Sequence, residues 1–283
     1  MDIGIGLPNT IDADGALVAE WARRAEERGF SYVATIDRIV YPSYDSLLAL
    51  AVAAGATSRI GLLTDILLAP AYEPVWLAKA TASLAAMSGG RLTLGVGVGG
   101  RQEDFVSMGR PFDRRGALMD ETLDLLRRSW AGEPVAGGDF PVGPAVPGGR
   151  IPLVVGGNVD AAVRRTVEYG DGWTAGGGGP AMAAPMVEKI TSAWRAAGRD
   201  GEPRLGALVY YGLGDDDVSR ASLRRYYEFL GDWVDMIVEG AVRTPSGLVE
   251  TVQAFADVGV TEVAFIPTVP SLDQVDRLAD AVL

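Results

Sequence analysis

The 283-residue sequence contains no cysteine and no histidine. Without cysteine there is no disulfide, thiolate nucleophile, cysteine-held zinc site or iron–sulfur cluster. Without histidine there is no histidine base, histidine-based triad or histidine metal ligand. No metal site is predicted. Any catalysis must therefore use carboxylates, hydroxyls, arginine, backbone dipoles or a cofactor that carries the difficult step.

Positive charge and long apolar runs are also scarce. The 25 lysines and arginines are outnumbered by 37 aspartates and glutamates, and this net charge of −12 argues against a nucleic-acid surface. No apolar run is long enough to span a membrane, and the N-terminus lacks the pattern of a signal peptide. The sequence predicts a cytoplasmic protein with a single domain over residues 1–283.

Glycine is abundant, and many of the 37 glycines follow predicted strands. In residues 91–105, RLTLGVGVGGRQEDF, an apolar run passes into Gly95, Gly97, Gly99 and Gly100. Glycine in a strand lets a backbone or a ligand approach closely. Either this strand end is cleared for a flat ligand, or its glycines lie beside a bulky neighbour.

Hydrophobic periodicity predicts eight strands that alternate with helices. The predicted strands are 2–7, 31–36, 60–69, 91–100, 151–155, 172–174, 205–213 and 260–267. The predicted helices are 14–28, 46–56, 74–87, 115–131, 160–169, 185–197, 218–240, 245–258 and 272–283. Strict alternation over this length predicts an α/β protein, a (β/α)8 TIM barrel with insertion segments. A doubly wound sheet is the alternative, disfavoured because no first β–α turn carries GxGxxG.

Functional residues of such a barrel lie where its strands end. Those ends carry Asp37 and Arg38, Thr64 and Asp65, and several glycines. Few of these residues are titratable, which suits a cofactor pocket better than a hydrolytic site. Asp65 interrupts an apolar run, and an unpaired buried carboxylate is costly. It either faces the barrel mouth, to meet a ligand or an arginine, or belongs to a structural salt bridge.

The segment Gly156-Gly157-Asn158-Val159 leaves strand five and enters a helix. Bare N–H groups at a helix N-terminus bind phosphate. The alternative is an ordinary glycine turn with Asn158 or Asp160 as the N-cap. Arg164 and Arg165, one turn on, either add positive charge to this site or are solvated surface residues.

Several blocks together resemble the luciferase-like flavin-dependent oxidoreductases, the bacterial luciferase superfamily. They are ATSRIGLLTDILLAP at 56–70, EPVWLAKATASLAAMSGGRLTLGVGVGGRQEDF at 73–105, Arg114-Arg115-Gly116 with Asp120-Glu121, and IPLVVGGNVDAAVRRTVEYGDGW at 151–173. The resemblance covers nearly the whole chain.

This resemblance implies a barrel that binds FMN or coenzyme F420 at its strand C-termini and acts as an oxidoreductase or monooxygenase on a small organic substrate. It places the phosphate around Gly156, Gly157, Asn158 and Val159. It also implies a non-proline cis peptide at Asp65–Ile66. The other expected cofactor contacts are Asp37, Thr64, Asp65, Gly97, Gly99 and Gly100. Expected partners are a flavin reductase and a second copy of the chain in a homodimer.

One position departs from the family pattern. Many members carry histidine after the aspartate that ends strand two, whereas this chain has Arg38. Arg38 and Asp65 are therefore the candidate catalytic residues, with Arg38 available to anchor an anionic substrate or a cofactor oxygen. Two alternatives stay open: a flavin-binding protein without activity, and a barrel for another phosphorylated ligand.

Overall fold

The computed structural model of the protein describes residues 1–135 and 137–283. Its described residues form a closed barrel in which each strand pairs in parallel with the next in sequence, and β8 pairs with β1. The strands are β1 (Asp2–Gly6), β2 (Tyr32–Thr35), β3 (Gly61–Thr64), β4 (Leu92–Val96), β5 (Leu153–Gly156), β6 (Gly172–Ala175), β7 (Arg204–Tyr211) and β8 (Glu262–Pro267). The predicted TIM barrel is confirmed, and the doubly wound alternative is wrong.

Helices surround the barrel, and amphipathic helices turn their apolar faces toward the strands. They are α1 (Ala16–Arg28), α2 (Ser46–Ala56), α3 (Pro74–Met87), α4 (Gln102–Ser107), α5 (Arg115–Trp130), α6 (Asp160–Tyr169), α7 (Pro180–Ala196), α8 (Asp216–Tyr227), α9 (Val234–Gly240), α10 (Pro245–Asp257) and α11 (Asp273–Val282). Short 3-10 turns cover Ala69–Ala71, Phe112–Arg114, Pro147–Gly149 and Glu228–Trp233. No helix in the described ranges is both long and apolar enough to cross a membrane.

Some predicted elements have different bounds. The strand predicted at 91–100 ends at Val96, and Gly99 beyond it has φ +73°, outside the β region. The helix predicted at 185–197 begins at Pro180, because proline is well accommodated in the first turn of a helix. The helical region predicted at 218–240 is interrupted around Gly231, with φ +57°.

The core has two layers, as alternation along each strand requires. Outward side chains of the strands pack with the helices, for example Ile5 with Trp21 and Leu50. Inward side chains, including Tyr32 and Leu208, fill the barrel itself. The C-terminal ends of the strands are left to the connecting loops, and the candidate site lies among them.

Candidate functional site

A cavity of about 230 Å³ opens at the C-terminal ends of β3, β5 and β6. Residues at or directly after the ends of these strands line it: Asp65, Ile66, Gly156, Gly157, Asn158, Gly176 and Gly177. Side chains of α7, Met182 and Met186 among them, supply an apolar wall. The structure therefore brings predicted Asp65 together with the predicted phosphate segment.

Asp65 is a buried carboxyl group in the wall of this cavity, with only 5% of its surface exposed. Its Oδ1 accepts a hydrogen bond from Thr174 Oγ1 at 2.9 Å, and Oδ2 has no partner within the described ranges. The pKa of Asp65 is raised to about 7, mainly by burial; the Thr174 hydroxyl and Arg204 lower it, and Glu262 adds to the rise. Asp65 can therefore hold or release a proton near neutral pH. It forms no salt bridge with any residue that the structure describes.

Ile66 forms part of the cavity wall beside Asp65, and the bond between them is the expected cis peptide. A Cβ on Gly97 would lie 1.8 Å from Ile66 Cδ1, and one on Gly156 would lie 3.0 Å from the same atom. Ile66 thus occupies the space that these glycines leave. At Gly97 the bulky-neighbour interpretation applies, whereas a Cβ on Gly100 would meet nothing within 4 Å.

The predicted phosphate segment enters α6 through the N-cap residue Val159, without a side-chain cap. The alternative with Asn158 or Asp160 as the N-cap is therefore wrong. Helix α7 also begins without a side-chain cap, after Gly179. Uncapped helix N-termini present free N–H donors and a partial positive charge. Both helices start at the loops that border the cavity, but Pro180 gives α7 no N–H at its first residue. The start of α6, where Lys189 pairs with Asp160, is therefore the better place for an anionic group.

Gly157 has φ +123°, a conformation that side chains rarely adopt. Its carbonyl oxygen accepts a 2.7 Å hydrogen bond from Nε1 of Trp173, which is buried in β6 and lines the cavity. Trp173 therefore fixes the orientation of the segment after β5. Arg164 and Arg165 instead bind Asp120 of α5, and Arg165 is buried. Their charge is thus engaged with α5.

Thr64 and Asp37, both predicted cofactor contacts, direct their polar atoms at protein groups. Thr64 Oγ1 donates to Gly95 O at 2.7 Å and accepts from Gly95 N at 2.9 Å, which joins β3 to β4. The Asp37 carboxylate accepts from Leu68 N at 3.0 Å and from the Tyr72 hydroxyl at 3.1 Å. Burial raises the pKa of Asp37 to about 6, and these donors limit the rise. Both side chains shape the loop after β3.

Arg38 is buried above the barrel mouth, away from the residues that line the Asp65 cavity. It donates to Tyr226 O at 2.5 Å and to Glu103 Oε1 at 3.1 Å. Its guanidinium lies 4.6 Å from the ring centroid of Tyr41 and 5.2 Å from that of Phe229. Its Nε has no hydrogen-bond partner in the part of the chain that the structure describes. The two predicted catalytic residues thus occupy different parts of the mouth.

A second arginine, Arg101, lies beside Arg38 against the Phe229 ring. Its Nε donates at 2.8 Å to Asp104, a fully buried carboxylate that also accepts from the backbone N–H groups of Ile39 and Val40. This pair anchors the loop after β2. Arg101, Thr174 and Trp173 were not among the predicted cofactor-binding or catalytic residues, although Arg101 and Thr174 lie at the ends of predicted strands and Trp173 belongs to the aromatic residues that could wall a pocket.

No group of three potential metal-ligating side chains occurs among the described residues.

A family model for luciferase-like monooxygenases matches residues 1–257. An uncharacterised protein of Mycobacterium tuberculosis is 31% identical over 228 residues, which cover 70% of this chain and 78% of that one. The F420-dependent hydroxymycolic acid dehydrogenase of the same organism is 28% identical over 254 residues, 82% of this chain and 68% of that one.

Two solved structures share the fold at low identity. An F420-dependent secondary alcohol dehydrogenase, in complex with an F420–acetone adduct, has a TM-score of 0.81 at 20% identity and covers 99% of this chain and 98% of its own. The oxygenating constituent of the 3,6-diketocamphane monooxygenase of Pseudomonas putida, in complex with FMN, has a TM-score of 0.77 at 15% identity, with coverage of 100% and 98%.

Proposed function

Because the chain belongs to the family of luciferase-like monooxygenases, we propose that it is an oxidoreductase that binds FMN or coenzyme F420 in the Asp65 cavity and acts on a small organic substrate. The observation that carries this proposal is the cavity itself, which combines bare backbone at two uncapped helix starts with a protonatable carboxyl group. A bound flavin or deazaflavin would supply the redox chemistry that the side chains lack.

The residues around the cavity fit such a cofactor. Gly156, Gly157, Asn158 and Val159 would hold its phosphate through backbone N–H groups at the start of α6. Ile66 offers an apolar surface for a flat ring, supported from behind by Gly97 and Gly156. We propose that Gly99 and Gly100 lie beside the ring. Thr64 and Asp37 hold the loop that carries Ile66.

Asp65 and Arg38 are the proposed catalytic residues. Thr174 fixes Oδ1 of Asp65, so a proton on Oδ2 is available to a group in the cavity. The partner of Arg38, Glu103, has about half of its side chain exposed, so solvent reaches this ion pair from the Glu103 side, whereas the Arg38 side chain is buried. We propose that the Arg38 guanidinium exchanges Glu103 for an oxygen of a ligand that extends from the Asp65 cavity across the barrel mouth.

Titration of the apo-protein with FMN and with coenzyme F420 tests the cofactor assignment. A ligand at one hundred times its Kd should stabilise the folded state by about 2.7 kcal/mol, which raises the melting temperature by several degrees. If neither cofactor changes the melting temperature at saturation, the assignment fails. Turnover with the reduced cofactor then separates an enzyme from a flavin-binding protein without activity.

Replacing Trp173 with phenylalanine should weaken binding of the cofactor about fivefold. The substitution removes the hydrogen bond to Gly157 O, worth about 1 kcal/mol, while most of the apolar packing remains. Trp194→Phe is the matched control, because Nε1 of this buried tryptophan also donates to a loop carbonyl, that of Gly201, away from the cavity. Equal Kd values for the two variants in a fluorescence titration would contradict the role of Trp173.

The remaining proposals concern partners and location. Helix α2 has no charged residue, and it exposes Leu48 and Val52, one turn apart. Such a surface supports the proposed homodimer, which sedimentation of the purified protein would test. A flavin reductase as the source of reduced cofactor, and the cytoplasm as the compartment, rest on the family alone.

A further inference from the structure

The barrel wall is incomplete between β6 and β7. The strands pair only as far as Ala175 and Ala207, although β7 continues to Tyr211. Val242 then bridges to Tyr211 on this side of β7. Between the two pairings, the edge of β7 around Leu208 and Val209 has no neighbouring strand in residues 1–135 and 137–283. This gap forms a window in the side of the barrel.

A second cavity, of about 280 Å³, lies at this window. One wall is the loop from Gly177 to Pro180, and the opposite wall is α9 with Met236 and Gly240. Thr251 of α10 also lines it. The second cavity shares Gly177 and Leu208 with the Asp65 cavity. The two cavities are therefore neighbours, and Gly177 and Leu208 form part of the boundary between them.

Among the described residues that line the second cavity there is no aspartate, glutamate, lysine or arginine. The hydroxyl group of Tyr210 is already paired with that of Tyr227 at 2.7 Å, which leaves Thr251 with the only other side-chain hydroxyl. An ionised group would find no countercharge here, and burying an unpaired charge is costly. The volume is close to the lower end of small-molecule pockets, roughly 300–1,000 Å³. These features select a neutral, apolar chain.

We propose that the second cavity binds the apolar chain of a neutral substrate, whose reacting group lies in the Asp65 cavity. The chain passes through the window beside Gly177 and Leu208. This inference rests on the proposed function for the position of the reacting group. The apolar character of the chain follows from the lining alone.

The test measures binding of straight-chain methyl ketones, from butanone to decan-2-one, to the cofactor-loaded protein by calorimetry. Affinity should rise about fourfold for each added methylene until the cavity is filled, and then level off. Thr251→Phe places a ring in the cavity, so its plateau should begin at a shorter chain. Gln253→Phe is the control, because it adds the same ring on the exposed side of α10.

An affinity independent of chain length, or the same plateau in Thr251→Phe as in the wild type, would overturn the inference. Gly240→Leu provides a second block, because a Cβ at this residue meets nothing within 4 Å. Each variant is first titrated with the cofactor, and an unchanged Kd shows that the Asp65 cavity is intact. If no cofactor binds but the apo-protein shows the same chain-length series, the proposed function fails while the assignment of the second cavity to an apolar chain stands.

Discussion

Asp65→Asn should stabilise the folded protein increasingly as the pH rises, by on the order of 4 kcal/mol relative to wild type between about pH 4 and pH 8. Burial raises the pKa of Asp65 from 3.8 to about 7, and each unit corresponds to about 1.4 kcal/mol. The folded state favours the protonated form of Asp65. In the wild-type protein, protonation of Asp65 therefore stabilises the fold fully below the pKa of the unfolded state, and this contribution is lost as the pH passes 7. Asparagine cannot ionise, so the variant does not lose this stability as the pH rises. Urea unfolding across this range measures the difference between the two proteins.

Comparing variant with wild type cancels the other titrating groups, which act in both proteins. Thr174→Val is the companion variant: the Thr174 hydroxyl lowers the pKa of Asp65, so its removal should move the transition to higher pH. A difference that stays constant with pH would show that the pKa of Asp65 is not raised in the folded protein. If Asp65 transfers a proton in turnover, Asp65→Asn should also reduce kcat by about 10²–10⁴-fold.

Gly176→Asp should weaken binding of FMN or coenzyme F420 by about three orders of magnitude. Gly176 lines the Asp65 cavity, its φ is not positive, and a Cβ there would meet nothing within 4 Å. The backbone therefore accepts a side chain at this position. Two negative charges about 4 Å apart repel by about 4 kcal/mol at an effective dielectric constant of 20. Fluorescence titration with each cofactor gives the Kd.

Gly176→Asn isolates the charge, because asparagine has nearly the same shape as aspartate. It should bind the cofactor far better than Gly176→Asp, and riboflavin, which has no phosphate, should distinguish the two variants much less than FMN does. Equal Kd values for FMN in both variants would place the phosphate elsewhere. Gly157 is less suitable for this test, because its φ of +123° makes any side chain strained.

The sequence predicted the barrel because alternation of strands and helices is a local signal. Helices α2, α3 and α6 have the predicted bounds, since proline, glycine and acidic residues mark their ends. Asp65 was visible for a similar reason: a carboxylate inside an apolar run is costly unless the fold gives it a place. The start of helix α7 was predicted five residues too late, because a glycine run before Pro180 looks like a loop.

The contacts within the site join residues that are far apart in the sequence, and hydrophobic periodicity, which is a local pattern, does not predict such contacts. Thr174 donates to Asp65 across 109 residues, and Arg38 meets Tyr226 across 188. The direction of a side chain at a strand end also depends on how the backbone turns there. The sequence therefore gave no sign that the Asp37 carboxylate faces Leu68 and Tyr72, while Asp65 faces the cavity.

Ile66 links three strands that are far apart in sequence. Its side chain comes from the loop after β3 and lies against Gly97, beyond β4, and Gly156 of β5. A methyl group on Gly97 would require a side chain shorter than isoleucine at position 66. A residue larger than isoleucine at that position would need more space beside both Gly97 and Gly156. The side chain at 66 and the two glycines together therefore determine the depth of the cavity floor. We expect these three positions to vary together among relatives. Redesigning this floor for a different ring would require paired substitutions, with Ile66 changed together with at least one of the two glycines.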